Sequence, residues 1–390
     1  MATAWPLSVY VHLPFCARKC HYCDFNSRPA EAHERARYLD ALHREIDRQA
    51  QTLAGACVHT IFFGGGTPTI YAADDLAALL DAIRRRAGKL APPCGEGDPG
   101  AEIETSIEAN PETVDEPKLR ALRAAGFNRL SLGAQSFDDA ELELLGRGHT
   151  SEHTECAVRA ARAAGFANLS LDLIYGLPGQ TVGGWRTTLQ RALALEPEHL
   201  SAYGLELAEG TVLAARVQAG EIAPISEAAH LAMREITGEL CAAAGLARYE
   251  ISNYARPGFE CQHNLTYWRN QPYLGLGAGA WSYLEGVRWS VCREPADYVA
   301  ALSRGDEPSE YCERLEPDGA LLEAVMMGLR LTEGLSIEAL RAAYGAERVD
   351  ALLARAQPLA RMGLVALVEG RLRLTEAGEM LHSEIALRLA

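Results

Sequence analysis

From Ser8 to about Leu207 the chain alternates short β-rich runs with amphipathic helical stretches, the rhythm of parallel strands joined by crossover helices. Few folds accommodate that pattern. Strands are expected at 8–13, 58–63, 102–107, 129–132, 168–174 and 199–205, each run ending at Gly, Pro, Asn or another turn-former. Between the first two, Tyr38, Leu39, Leu42, Ile46 and Leu53 line one helical face, and Leu76, Leu79, Leu80 and Ile83 do the same for the next helix. An internal echo supports repeated helix-Gly-strand units: Ala124-Ala125-Gly126-Phe127 before Leu130-Ser131-Leu132 recurs as Ala163-Ala164-Gly165-Phe166 before Leu169-Ser170-Leu171. Such units build either a (β/α) barrel, with function on the loops after the strands, or a doubly wound sheet, with function at a switch point.

A chain of 390 residues is long enough for two or three domains. Its 48% hydrophobic content lacks any apolar run near the roughly 18 to 20 residues of a membrane span. No basic, apolar leader precedes Tyr10, so a cytoplasmic protein is expected. Thirty-seven basic against fifty-two acidic side chains leave a net charge of -15, which repels polyanions and speaks against nucleic acid as a partner. An acidic surface instead suits a basic or membrane-bound partner, which allows peripheral membrane contact through that partner. The ten cysteines read as reduced thiols and metal ligands rather than a disulfide framework.

Three of those cysteines, Cys16, Cys20 and Cys23, form a CxxxCxxC directly after the first expected strand. Three thiolates from one loop can hold three irons of a four-iron cube and leave the fourth open to chelate a ligand. The alternative is a structural zinc site with a distant fourth ligand. Arg18 and Lys19 lie within the loop, where they suit the offset of cluster charge or are exposed loop bases without a role. After the second strand, Gly64-Gly65-Gly66-Thr67-Pro68 lets backbone approach a ligand where a Cβ would intrude; on its own it also fits a tight turn. Glu108, Gln135, Arg147 and Asp172 follow or end later strands. Acid, amide and guanidinium suit a sulfonium ligand with ammonium, carboxylate and ribose groups, although each alone also fits a salt bridge or helix cap.

On these residues the chain resembles the radical S-adenosylmethionine (SAM) superfamily over about 8–280, and Tyr10-Val11-His12-Leu13-Pro14-Phe15-Cys16 resembles its branch containing oxygen-independent coproporphyrinogen III oxidase. The resemblance implies a partial (β/α)6 barrel with a [4Fe-4S] cluster at its open mouth and SAM on the open iron. It further implies that Gly65, Gly66 and Thr67 receive the aminoacyl end of SAM, and that Glu108, Gln135, Arg147 and Asp172 contact the cofactor, with Tyr10, Tyr22 and Gly204 as further contacts.

Two departures set the chain apart from the oxidase. Asp24-Phe25-Asn26 follows the motif where the oxidase has a further cysteine, and Cys16 lies too early for the oxidase's N-terminal extension. His263-Asn264-Leu265-Thr266-Tyr267-Trp268 offers an imidazole as an axial haem ligand beside aromatics that can cover a porphyrin, or else a core histidine among packed rings. With these features, and Met326-Met327-Gly328-Leu329-Arg330 near the tail, the chain resembles the HemW-type haem chaperones. That resemblance implies haem as a third cofactor with His263 as its ligand, transfer to haem-accepting respiratory proteins, and an electron donor to the cluster. Cys261 is a second candidate ligand or a buried thiol. The alternatives are a radical SAM enzyme, either a coproporphyrinogen III dehydrogenase or a methyltransferase using two SAM molecules, and a binder with a degenerate barrel; the intact cysteines disfavour the last. Whether the chain is an enzyme stays open at this point.

Three domains are expected: 1–208 as the barrel, 209–314 as a linking, haem-associated α+β region, and 315–390 as a winged-helix-like unit with three helices, a hairpin turning on Glu369-Gly370 and a last helix. Eight basic against eleven acidic residues in 316–390 make that unit a packing or partner domain rather than a DNA reader. A Pro/Gly-rich surface insertion is expected at 91–100.

Overall fold

The computed structural model describes residues 4–92 and 102–389; the insertion expected at 91–100 lies, from residue 93 on, outside the described residues. Six parallel strands stand side by side in chain order: β1 (Trp5–Leu13), β2 (Ala56–Gly65), β3 (Glu104–Ala109), β4 (Arg129–Gln135), β5 (Asn168–Tyr175) and β6 (His199–Gly204). Their order never reverses, so no switch point exists and the architecture is the open barrel rather than the doubly wound sheet. Several strands run further toward their C-terminal ends than apolar patterning indicates, because polar residues such as Glu108 and Gln135 still pair around the mouth.

Alternate strand residues explain both faces. Val9, Val11, Leu13, Ile61, Phe63, Leu130, Leu132, Leu169 and Leu171 are fully buried in the main core. They meet the apolar stripes of the covering helices, Tyr38, Leu42 and Ile46 on α1 (Ala32–Arg48) and Leu76, Leu79, Leu80 and Ile83 on α2 (Ala73–Arg86). Each such side chain contributes about 1.5–3 kcal/mol of burial. The residues between them are polar or aromatic: Ser8, Tyr10 and His12; Thr60 and Phe62; Glu104, Ser106 and Glu108; Arg129 and Ser131; Ser170 and Asp172; His199 and Ser201. With period two these face inward, giving the barrel a polar lumen. The echoed glycines end α3 (Glu116–Ala125) and α4 (Ser151–Ala163) with φ of 105° at Gly126 and 90° at Gly165, a conformation that lets each helix stop and its strand begin.

Past β6 and the covering α5 (Val182–Ala194) and α6 (Glu227–Ala243), the chain stays in the sheet. β7 (Asn253–Ala255) pairs antiparallel with β6, while β8 (Tyr273–Leu276) returns to pair parallel with β1, Ser8 opposite Tyr273. β9 (Trp281–Leu284), β10 (Val287–Val291) and β11 (Ser309–Arg314) extend that edge. The expected boundary at 208/209 therefore falls inside one sheet, and much of 209–314 is barrel wall. Gly275 in β8 is required by close approach: a Cβ there would lie 2.1 Å from the Trp281 carbonyl oxygen.

The tail forms its own apolar core from α8 (Pro317–Gly328), α9 (Ile337–Tyr344), α10 (Ala346–Arg361), the hairpin β12 (Val365–Val368) and β13 (Arg371–Leu374), and α11 (His382–Leu389). Glu369 and Gly370, with φ of 51° and 73°, make the hairpin turn, and Leu335–Ser336 pairs with β13 to complete a winged-helix-like unit. Among the described residues no helix is long and apolar enough to cross a membrane.

Candidate functional site at the barrel mouth

Cys16, Cys20 and Cys23 lie on the loop that leaves β1, all partly accessible, and no disulfide joins the described cysteines. The loop is tied down from three sides. Phe15–Cys16 pairs with Arg28–Pro29, His21 donates its amide to Leu145 O at 2.9 Å, and His12 Nε2 contacts Asn26 O at 2.9 Å. Because that carbonyl only accepts, His12 carries its proton on Nε2, and Nδ1 accepts from the Tyr10 hydroxyl at 3.1 Å. Two thiols face cations: Arg147 Nη1 lies 3.5 Å from Cys20 Sγ and Lys19 Nζ lies 3.7 Å from Cys23 Sγ. Burial pushes the Cys16 thiol up, opposed by hydrogen bonding from Thr67 and Ser27. Among the described residues no three His, Cys, Asp or Glu side chains are grouped to hold a single metal ion. An all-thiol donor set on one loop beside fixed cations fits an anionic iron-sulfur cube.

The Gly-rich loop is strapped to the same strand end. Gly66 and Thr67 donate their amides to Leu13 O and Phe15 O at 2.8 and 2.9 Å. A Cβ on Gly66 would sit 2.6 Å from Phe15 O, and Gly65, at φ 110°, would drive one to 2.5 Å from the His12 ring. The Gly65 amide donates to Glu108 Oε2 at 3.1 Å. Arg147 Nη2 donates to Asn110 Oδ1 at 2.6 Å and to Gly133 O at 2.8 Å, while Asn110 Nδ2 donates to Thr67 Oγ1 at 3.1 Å. Asn110 thus joins the Gly loop, the guanidinium and, through it, the cysteine loop. It was legible inside Glu108-Ala109-Asn110-Pro111, but its amide has no chemistry of its own to single it out.

Gln135 ends β4 in the left-handed region, φ 65°, after a register shift. Asp172 lies deeper, accepting from Ser131, Ser170 and Ser201 at 2.9, 3.1 and 2.7 Å. Tyr22 packs at the mouth beside Leu145, Ile174 and Leu177, and Gly204, at the end of β6, leaves room for the His230 ring. Cavities of about 490 and 660 Å³ flank the cysteine loop, one reaching Cys23 and Thr211, the other His21 and Arg147.

Burial and then the Asp172 charge raise the Glu108 carboxyl to about 7. A carboxyl raised above its unfolded value weakens the fold as pH rises from the ordinary carboxylate range through about 7. A cationic ligand selects the ionised form, so affinity for a sulfonium amino acid is expected to rise about tenfold from pH 6 to pH 8 and to lose that dependence in Glu108→Gln, as read by calorimetry at each pH.

His263 lies at the opposite end of the lumen. Its Nδ1 bonds Thr60 Oγ1 at 2.7 Å, four residues and so about 13 Å down β2 from Gly64, and its Nε2 bonds the Tyr267 hydroxyl at 2.9 Å. The residue is 1% exposed, its ring stacks on Phe62 at 5.1 Å, and burial with the nearby Arg129 charge lowers its basicity to about 3. Helix α7 (Gln262–Trp268) thereby plugs the barrel floor, with Glu104 Oε2 and Oε1 accepting from the Gln262 and His263 amides at 2.9 and 3.1 Å. Both ring nitrogens of His263 are thus engaged within the fold, and its ring lies 6.1 Å from that of Tyr10. Cys261, its thiol pushed up to about 12 by burial, bonds Glu104 at 3.5 Å and is a core group.

Residues 10–192 match the Radical SAM superfamily and residues 315–381 the HemN C-terminal domain. The chain is 35% identical to the haem chaperone HemW of Bacillus subtilis over 97% of both chains, and 37% identical to that of Mycobacterium tuberculosis over 97% of this chain and 94% of that one. Its fold is similar to coproporphyrinogen III oxidase (HemN) of Escherichia coli, a radical SAM enzyme, with TM-score 0.84 and 27% identity over 99% of this chain and 90% of that one. Membership in the superfamily implies a [4Fe-4S] cluster and SAM. With a relative matched along nearly its whole length and a barrel whose mouth carries the three-cysteine loop, this chain belongs to the HemW haem chaperone family of the radical SAM superfamily.

Proposed function

We propose that this protein binds haem and delivers it to haem-accepting respiratory proteins, with a [4Fe-4S] cluster and SAM at the barrel mouth. The observation that carries the reading is the end-to-end likeness to HemW chaperones at 35% and 37% identity, against 27% to the oxidase. Cys16, Cys20 and Cys23 hold the cluster. Gly65, Gly66 and Thr67 receive the aminoacyl end of SAM, Glu108 meets its ammonium, Arg147 its carboxylate, and Gln135, Asp172, Tyr10, Tyr22 and Gly204 complete its pocket. The cluster supplies an iron with one open coordination position; an external protein supplies its electrons.

His263 is the proposed haem ligand, in a form where α7 has released its ring from Thr60 and Tyr267. Thr60→Val removes one of those two bonds, worth about 1 kcal/mol, and is expected to speed haem uptake about fivefold in stopped-flow absorbance. His263→Ala is expected to weaken haem binding at least tenfold; unchanged affinity would move the ligand elsewhere. The test of the function is anaerobic reconstitution followed by separate addition of haem and of coproporphyrinogen III. A stable haem complex with no protoporphyrinogen supports the chaperone, whereas protoporphyrinogen formation makes the protein an enzyme.

A further inference from the structure

Lys19 lies on the outer surface of the cysteine loop, yet its head is not loose. Nζ donates to Phe25 O at 2.8 Å and to Ser27 Oγ at 3.1 Å, and its remaining direction faces Cys23 Sγ at 3.7 Å. An ammonium has three donors, and here two of them lock it to the segment that follows Cys23. Ser27 Oγ itself lies 3.8 Å from Cys23 Sγ. The three thiols are consequently unequal. Cys20 faces Arg147 and Cys23 faces Lys19, whereas Cys16 meets the hydroxyls of Thr67 and Ser27. Arg147 is already committed to Asn110 and Gly133 and to the proposed SAM pocket. Among the described residues the hydrogen bonds of the Lys19 head all lie within this loop, and its side chain lines both cavities beside it.

We infer that Lys19 sets the reduction potential of the cluster. This rests on the cluster reading above. Reduction adds one negative charge to the cube and its thiolates, and a positive charge fixed beside one ligand sulfur stabilises the reduced form, since cluster potentials follow net charge and hydrogen bonds to sulfur. Water at the loop surface screens the effect, so it is smaller than in a dry interior.

The experiment is an anaerobic dye-mediated titration of the reconstituted full chain, following the paramagnetic reduced cluster, for native protein, Lys19→Met and Lys19→Arg, with iron and sulfide counted in each. Lys19→Met keeps the stem and removes the charge; it is expected to lower the reduction equilibrium constant about tenfold, which for one electron is about 59 mV. Lys19→Arg is expected to stay near native, and both variants to keep native iron. Equal shifts in Met and Arg, or none in Met, would overturn the inference, as would iron loss confined to Met, which would make Lys19 an assembly residue. Native protein lacking a four-iron cluster refutes the cluster reading instead, and the iron count separates the two failures.

Discussion

Cys20→Ser is expected to cut bound iron from about four per chain to below one, while far-UV circular dichroism and the unfolding midpoint stay near native. Serine preserves the shape of the side chain but offers a hard hydroxyl in place of a soft thiolate, and two remaining thiolates cannot retain a cube. Arg147 would lose its contact to Cys20 but keep those to Asn110 and Gly133, so the mouth keeps its form. The three cysteines belong to a partly accessible loop rather than the core, which is why the loss concerns the cofactor and not the fold. Addition of SAM to this variant is expected to produce no spectral change. Retention of four irons would remove Cys20 from the ligand set.

Glu104→Ala is expected to destabilise the protein by about 3–5 kcal/mol, read from chemical denaturation. Glu104 accepts from two backbone amides at the start of α7 and from Cys261, and it lies near the guanidinium of Arg129, which is 2% exposed. The helix has no side-chain cap of its own at Cys261, so Glu104 serves as that cap from across the barrel. Alanine leaves buried donors unpaired and removes one of the two carboxylates, Glu104 and Asp172, whose charges act on the buried Arg129. Glu104→Gln keeps an acceptor and is expected to cost about half as much. A loss under about 1 kcal/mol in the alanine variant would show that water enters the floor and replaces the carboxylate.

The barrel strands were legible because alternation carries two messages in one run: Val9 and Val11 face the helices while Ser8, Tyr10 and His12 face the lumen. The cysteine and glycine loops were legible because their chemistry is dense in a few consecutive residues. Where α7 docks was not. Nothing local in His263-Asn264-Leu265-Thr266-Tyr267-Trp268 records which end of the barrel the returning chain reaches; that follows from the pairing of Tyr273–Leu276 with β1. Gly275 and Gly277 give that strand no sequence signature, although close approach to Trp281 and His12 demands them. Lys19 was visible as a base in the loop, but its brace to Phe25 and Ser27 depends on how the backbone turns after Cys23.

The pairing of β1 with β8 has a consequence for biogenesis. As the nascent chain leaves the ribosome, β1 waits more than 260 residues for its outer neighbour, since Ser8 pairs with Tyr273. Until then the first strand, which leads into the cysteine loop, has an open hydrogen-bonding edge, the kind of surface that recruits stray strands and invites chaperone protection during synthesis.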